Sequence, residues 1–135
     1  MTIHFHDLIS DTNILSALTS EGYTSPTPVQ AQTIPPALAN KDIMASAQTG
    51  SGKTAAFLLP TLQRLATRSD KPGKGPRALV LTPTRELAAQ VEKNAQSYSQ
   101  NMPWFRTTSL VGGSSFGQQI RALSKPIDII VATPG

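Results

Sequence analysis

Short apolar runs alternate with longer amphipathic ones along this chain. Four runs read as strands: Ile43–Ala45, Ala78–Thr82, Thr107–Val111 and Ile127–Thr133. Each is bounded by Gly, Pro or polar residues, as strands of a buried parallel sheet are. Ile43–Ala45 is the weakest of them, because Ala and Met are poor strand formers. Between the runs lie helical stretches. Thr54–Arg68 carries Phe57, Leu58, Leu62 and Leu65 at helical spacing, and Thr84–Gln100 carries Leu87, Ala88, Val91 and Ala95. Gly117–Leu123 is a shorter candidate. Near the start, Asp11 can cap a helix bearing Ile14, Leu15 and Leu18, with Gly22 ending it. Pro28 suits the first turn of another helix, and Pro35-Pro36 are expected to break or restart it. Strands alternating with helices predict an α/β fold built of βαβ units around a parallel sheet.

The 135 residues leave room for one domain. Hydrophobic residues make up 39% and charged ones 15%, which fits neither a disordered chain nor a membrane protein. No apolar run reaches the roughly 18–20 residues of a membrane span. Met1–Asp7 shows no basic stretch followed by an apolar one, the mark of a secretory signal. There is no cysteine, so disulfides, thiolate zinc sites and cysteine nucleophiles are excluded and a cytoplasmic location is allowed. The net charge of +4 suits a nucleotide or nucleic-acid ligand, although many plain soluble proteins share it. His4 and His6 read as surface residues without metal, and Trp104 and Phe105 as packing residues. The stretch Ser69–Pro76 reads as a solvated connector whose two Lys can also touch phosphates.

The sharpest chemical signal is Ala47-Gln48-Thr49-Gly50-Ser51-Gly52-Lys53-Thr54, which follows the first apolar run and opens a helix. Glycines let the backbone wrap phosphate oxygens, and the helix N-terminus adds partial positive charge. Lys53 can reach the β- and γ-phosphates, and the Thr54 hydroxyl can ligate Mg²⁺. The usual phosphate-loop pattern begins with Gly, where this chain has Ala47. Upstream, Gly22-Tyr23-Thr24-Ser25-Pro26-Thr27-Pro28-Val29-Gln30 reads as a helix stop, a rigid turn and a helix start. Gln30 also offers a donor and an acceptor together, which match the N6 and N7 edge of adenine. Phe5 can stack on a base or simply pack.

Together these segments resemble the DEAD-box RNA helicases. Residues 22–30 resemble that family's Q motif, and Ala47–Thr54 its motif I, which characteristically begins with Ala. Pro83-Thr84-Arg85-Glu86-Leu87-Ala88-Ala89-Gln90 resembles motif Ia, Gly112-Gly113 the GG motif, and Thr133-Pro134-Gly135 the start of motif Ib. The resemblance implies a RecA-like parallel sheet flanked by helices. Residues 1–135 would form the N-terminal part of the first helicase domain, with 1–40 the Q-motif region and 41–135 the phosphate-loop sheet core. It implies that Phe5, Tyr23, Thr27, Gln30 and Ala47–Thr54 bind ATP, with Gln48, Thr49, Gly50, Ser51 and Gly52 among them. Lys53 and Thr54 would serve catalysis, Thr54 through Mg²⁺. Pro83, Thr84, Arg85, Gly113, Thr133 and Gly135 would lie along an RNA backbone, with sequence-independent contacts.

The activity this implies is ATP-dependent unwinding of short RNA duplexes, with room for protein partners in RNA-remodelling complexes and none for a membrane. The short N-terminus leans towards bacterial members. No carboxylate directly follows a buried apolar run, where one would orient Mg²⁺ and the attacking water. The Asp-Glu-Ala-Asp and Ser-Ala-Thr motifs and a second RecA-like domain are not in these residues. The expectation is therefore a truncated domain that binds ATP poorly and hydrolyses it negligibly alone, with uncovered apolar faces. Another P-loop NTPase and a non-catalytic nucleotide- or RNA-binding module remain the alternatives.

Overall fold

In a computed structural model, the structure describes residues 2–67 and 75–134. Most of Ser69–Pro76, Arg68 and Gly135 lie outside the described residues. The chain separates into two compact units, Met1–Ala66 with Ser97–Met102, and Thr67–Gln96 with Pro103–Gly135.

The first unit is helical. It contains α1 (Phe5–Leu8), α2 (Thr12–Ser20), α3 (Pro28–Leu38) and α4 (Lys53–Arg64). The Asp11 carboxylate accepts the Ile14 N–H at 3.0 Å and so caps α2, as its position predicts. Ile14, Ala17 and Leu18 turn inward from that helix. Helix α3 packs on α4, and Ile34 of the one and Leu58, Leu59 and Leu62 of the other are fully buried. Each such side chain contributes about 1.5–3 kcal/mol when fully buried. The Gln63 side chain ties α4 to the start of α2, its Oε1 accepting the Ser10 and Asp11 N–H groups at 2.7 and 3.1 Å.

Pro35 and Pro36 do not break α3; both lie inside it. Each costs the helix one N–H donor, while the ring-fixed φ is already helical. Burial of Ile34 in the α3–α4 contact offsets that loss. Helix α4 starts one residue earlier than the spacing predicts and ends at Arg64 instead of Arg68.

The second unit holds β1 (Ala78–Leu81), α5 (Arg85–Tyr98, whose last two residues count with the first unit), β2 (Thr107–Leu110), α6 (Phe116–Leu123) and β3 (Ile129–Ala132). The three strands form a parallel sheet in the order β1-β3-β2. Ala78 and Thr107 both stand opposite Ile129, and Leu81 and Leu110 opposite Ala132. The most continuously apolar strand, β3, takes the centre, with Ile129, Ile130 and Val131 buried. The edge strand β1 alternates between half-buried and exposed residues. Helix α5 buries Ala88, Val91 and Ala95 as one stripe. Trp104 is half-buried and Phe105 buried, in keeping with packing roles.

Ile43–Ala45 is not a strand. No described strand pairs with it, Met44 is fully exposed and Ile43 is 43% exposed. A parallel strand exists only through its ladder, and Ala and Met add little preference of their own. The sheet of the described residues thus has three strands, not four.

One side chain joins the starts of all three strands. Asp128, which precedes β3, accepts from Arg77 Nε at 3.0 Å and Arg77 Nη2 at 2.6 Å. Its second carboxylate oxygen accepts the Arg106 N–H at 3.0 Å. The Arg77 guanidinium also donates to the Thr67 carbonyl at 2.8 Å and lies 5.9 Å over the Trp104 ring.

Candidate functional site

The loop from Ala47 to Gly52 carries two left-handed glycines, Gly50 at φ +84° and Gly52 at φ +87°. Glycine alone adopts this conformation without strain. The Ser51 N–H closes a turn onto the Gln48 carbonyl at 3.1 Å, and Gly52 is the N-cap of α4. That cap has no side chain to occupy the first helical N–H groups. These donors, the helix dipole and Lys53 together suit a polyphosphate. The Ser51 hydroxyl is buried and has no hydrogen-bond partner among the described residues, one more polar group suited to a ligand. Thr49, Gly50 and Lys53 are exposed, while Ala47 and Thr54 are half-buried.

Gln30 is drawn to this loop. Thr27 and Gln30 form a reciprocal cap at the start of α3, with the Thr27 N–H donating to Gln30 Oε1 at 3.0 Å. Gln30 Nε2 in turn donates to the Gly52 carbonyl at 3.1 Å. The side chain is only 2% exposed, and one N–H and one lone pair of its carboxamide remain. A Cβ on Gly52 would strike Gln30 Nε2 and come within 3.2 Å of the Thr27 hydroxyl, so the close approach requires glycine here. Phe5 opens α1 and is 5% exposed, leaving its ring almost no free face. It meets Tyr23 edge-on, with centroids 6.5 Å apart, and Tyr23 is 41% exposed.

A groove of about 430 Å³ runs beside the loop, between α3 and α4. Its walls are mostly apolar, with Val29, Thr33, Ala56 and Phe57 among them and Lys53 and Arg64 as its two cations.

In the second unit, the C-terminal ends of the strands converge on an open cleft of about 510 Å³. Pro83, Thr84, Arg85, Glu86, Gly112, Thr133 and Pro134 line it. The Thr84 hydroxyl accepts the Leu87 N–H at 3.1 Å and caps α5, while the Thr82 hydroxyl donates to the Thr84 carbonyl at 3.1 Å. Arg85 Nη1 donates to the Gly112 carbonyl at 3.4 Å. Gly113 has φ +82°, and a Cβ there would lie 2.5 Å from Arg85 Nη1. Residues from three separate sequence segments, around 84, 112 and 133, therefore meet in one place.

Sequence reasoning missed three features: the short helix α1, the Asp128 junction and the bond between Tyr98 and Tyr23, whose oxygens lie 3.3 Å apart. Tyr98 continues the period of Ala88, Val91 and Ala95, which gave a sign that it would be buried but none of its partner. Among the described residues, no cluster of three or more His, Asp or Glu could hold a metal ion, and no helix is long and apolar enough to cross a membrane.

A parallel α/β sheet in one unit, and in the other a glycine loop that opens a helix and is clamped by Gln30, are features shared by P-loop proteins. The sequence profile of DEAD/DEAH box helicases matches residues 27–135, and the chain belongs to that family. It is 49% identical over 118 residues to a probable ATP-dependent RNA helicase, DDX59, of Homo sapiens, covering 87% of this chain and 18% of that protein. It is 47% identical over 131 residues to the ATP-dependent RNA helicase DeaD of Escherichia coli K12, covering 97% of this chain and 20% of that protein. Among solved structures, the RNA helicase Prp28 of Chaetomium thermophilum bound to ADP superimposes with a TM-score of 0.83 at 45% identity. That match covers 93% of this chain and 30% of the other. The fold is thus RecA-like, and the chain spans about a fifth of the length of these two curated relatives.

Proposed function

We propose that this chain is the N-terminal part of the first RecA-like domain of an ATP-dependent RNA helicase. The observation that carries the proposal is the pairing of a phosphate loop with an anion-suited cleft built from motif residues far apart in sequence. In this reading ATP is the substrate. Its polyphosphate lies in the loop that Ala47 opens, with Gln48, Thr49 and Ser51 around it and the N–H groups of Gly50 and Gly52 as donors, the Ser51 N–H being engaged by the Gln48 carbonyl. Lys53 neutralises charge on the β- and γ-phosphates. The Thr54 hydroxyl holds Mg²⁺, which adds charge neutralisation there. Tyr23, Thr27 and Gln30 form the base side, with the buried Phe5 packed edge-on behind Tyr23.

Pro83, Thr84, Arg85, Gly113, Thr133 and Gly135 would follow an RNA backbone. The capped N-terminus of α5 and the Arg85 fork supply donors for phosphate oxygens. Such contacts carry little sequence information. The carboxylate and arginine that drive water attack belong to the remainder of the enzyme, so these residues alone would release little phosphate. The cytoplasm is the compartment proposed, on the family resemblance. Protein partners in RNA-remodelling complexes belong to the same reading.

The test is phosphate release by the full-length protein with and without RNA. RNA stimulates release in the wild type, and Lys53→Ala lowers it on the order of a hundredfold. Undiminished release in Lys53→Ala, or release that RNA never changes, overturns the proposal.

A further inference from the structure

Three aromatic rings form a chain in the first unit. Phe5 meets Tyr23 at 6.5 Å and 85°, and Tyr23 meets Tyr98 at 5.8 Å and 67°. Both are edge-to-face pairs, the arrangement that ring quadrupoles favour. The two outer rings are buried, with Phe5 5% and Tyr98 3% exposed, and the middle ring is open at 41%. Tyr98 also donates its hydroxyl proton to the Tyr23 oxygen at 3.3 Å. Tyr23 stands in the turn between α2 and α3, where its N–H donates to the Leu18 carbonyl at 2.9 Å. The same turn leads within four residues to Thr27, the cap of α3, and so to the Gln30 contact with Gly52.

We infer that Tyr98 is a positioning residue for nucleotide binding: it fixes the Tyr23 ring, whose free face takes the base. The inference rests on the nucleotide reading above. Swinging Tyr23 away breaks the hydroxyl bond and both edge contacts at once, so the ring is held in one orientation before any ligand arrives. A base stacking on it then orders little that is not already ordered, which is where preorganised sites gain affinity. Phe5 cannot fill that role from the same position, because its faces are covered. The phosphate loop makes no contact with Tyr98 among the hydrogen bonds and ring contacts described, so the brace acts on the base end of the ligand only.

The experiment compares ATP with inorganic tripolyphosphate, which has the phosphates without the base, by calorimetric titration of the full-length protein. Tyr98→Phe keeps the ring and removes only the hydroxyl. It raises the Kd for ATP about three- to tenfold, the range of one neutral hydrogen bond, and leaves that for tripolyphosphate unchanged. An unchanged ATP affinity, or an equal loss for both ligands, overturns the role of Tyr98. Tyr23→Ala is the companion variant. If it leaves the ratio of ATP to tripolyphosphate affinity unaltered, the assignment of this turn to the base fails, whatever Tyr98→Phe does.

Discussion

Replacing Asp128 with alanine should destabilise the sheet unit by about 3–4 kcal/mol. The carboxylate holds two charge-assisted bonds from Arg77, at 2.6 and 3.0 Å, and one from the Arg106 N–H at 3.0 Å. Only 12% of the Asp128 side chain and 23% of the Arg77 side chain are exposed. Bonds to charged groups contribute about 1.5–3 kcal/mol each, and a buried N–H that loses its acceptor costs about 1–3 kcal/mol. Arg77 keeps its bond to the Thr67 carbonyl and its place over Trp104, and water screens its partly open side, which lowers the total. The result falls at the low end of the range for breaking a buried pair and is a large share of a typical 5–15 kcal/mol stability. Asp128→Asn keeps an acceptor for Arg106 and should lose about half as much.

Urea unfolding followed by circular dichroism measures these losses, and the cycle with Arg77→Ala isolates the coupling, expected at about 1.5 kcal/mol or more. The junction lies at the N-terminal ends of the strands, roughly 15 Å along β3 from the cleft at their C-terminal ends. RNA affinity of the folded variant should therefore be unchanged at low temperature. A loss below about 1 kcal/mol for Asp128→Ala, or additive effects in the cycle, would refute this account of the sheet.

Two further outcomes follow from the geometry. Gly113→Ala puts a methyl group against Arg85 Nη1 and forces a left-handed alanine, at a cost of about 1–2 kcal/mol. RNA binding in a filter assay should weaken several-fold while ATP affinity stays as it was, and equal effects on both ligands would argue against a distinct RNA cleft. Burial, then the Tyr23 hydroxyl, then nearby charge including Glu21, raise the Tyr98 phenol well above its ordinary 10.0. The unfolded chain ionises first, so this contribution to stability is fully present below pH 10 and is lost as pH rises above it. Thermal unfolding between pH 9 and 12 should show a shallower alkaline decline in Tyr98→Phe than in the wild type.

Much of the site was legible because its parts are local. A phosphate loop is one continuous stretch, so Gly50, Gly52, Lys53 and Thr54 carry their geometry in their spacing. The Asp11 cap is likewise a three-residue relationship that its position in the sequence announces. The continuous apolar run at Ile127–Thr133 announced a buried strand, and the alternation of elements announced a parallel sheet.

What tertiary structure decided were the relationships without a fixed sequence interval. Strand order β1-β3-β2 depends on which ladders form, and Ile43–Ala45 stayed outside the sheet because no described strand lies beside it. Prolines 35 and 36 remain helical because packing on α4 outweighs two lost donors. Gln30 reaches Gly52 across 22 positions, Arg77 reaches Asp128 across 51 and Tyr98 reaches Tyr23 across 75. Each of those contacts comes from chain closure under burial, where a side chain must find whatever partner the packed neighbours present. The sequence by itself determined the chemistry on offer; folding decided which groups face each other, which are covered, and which face is left open to a ligand.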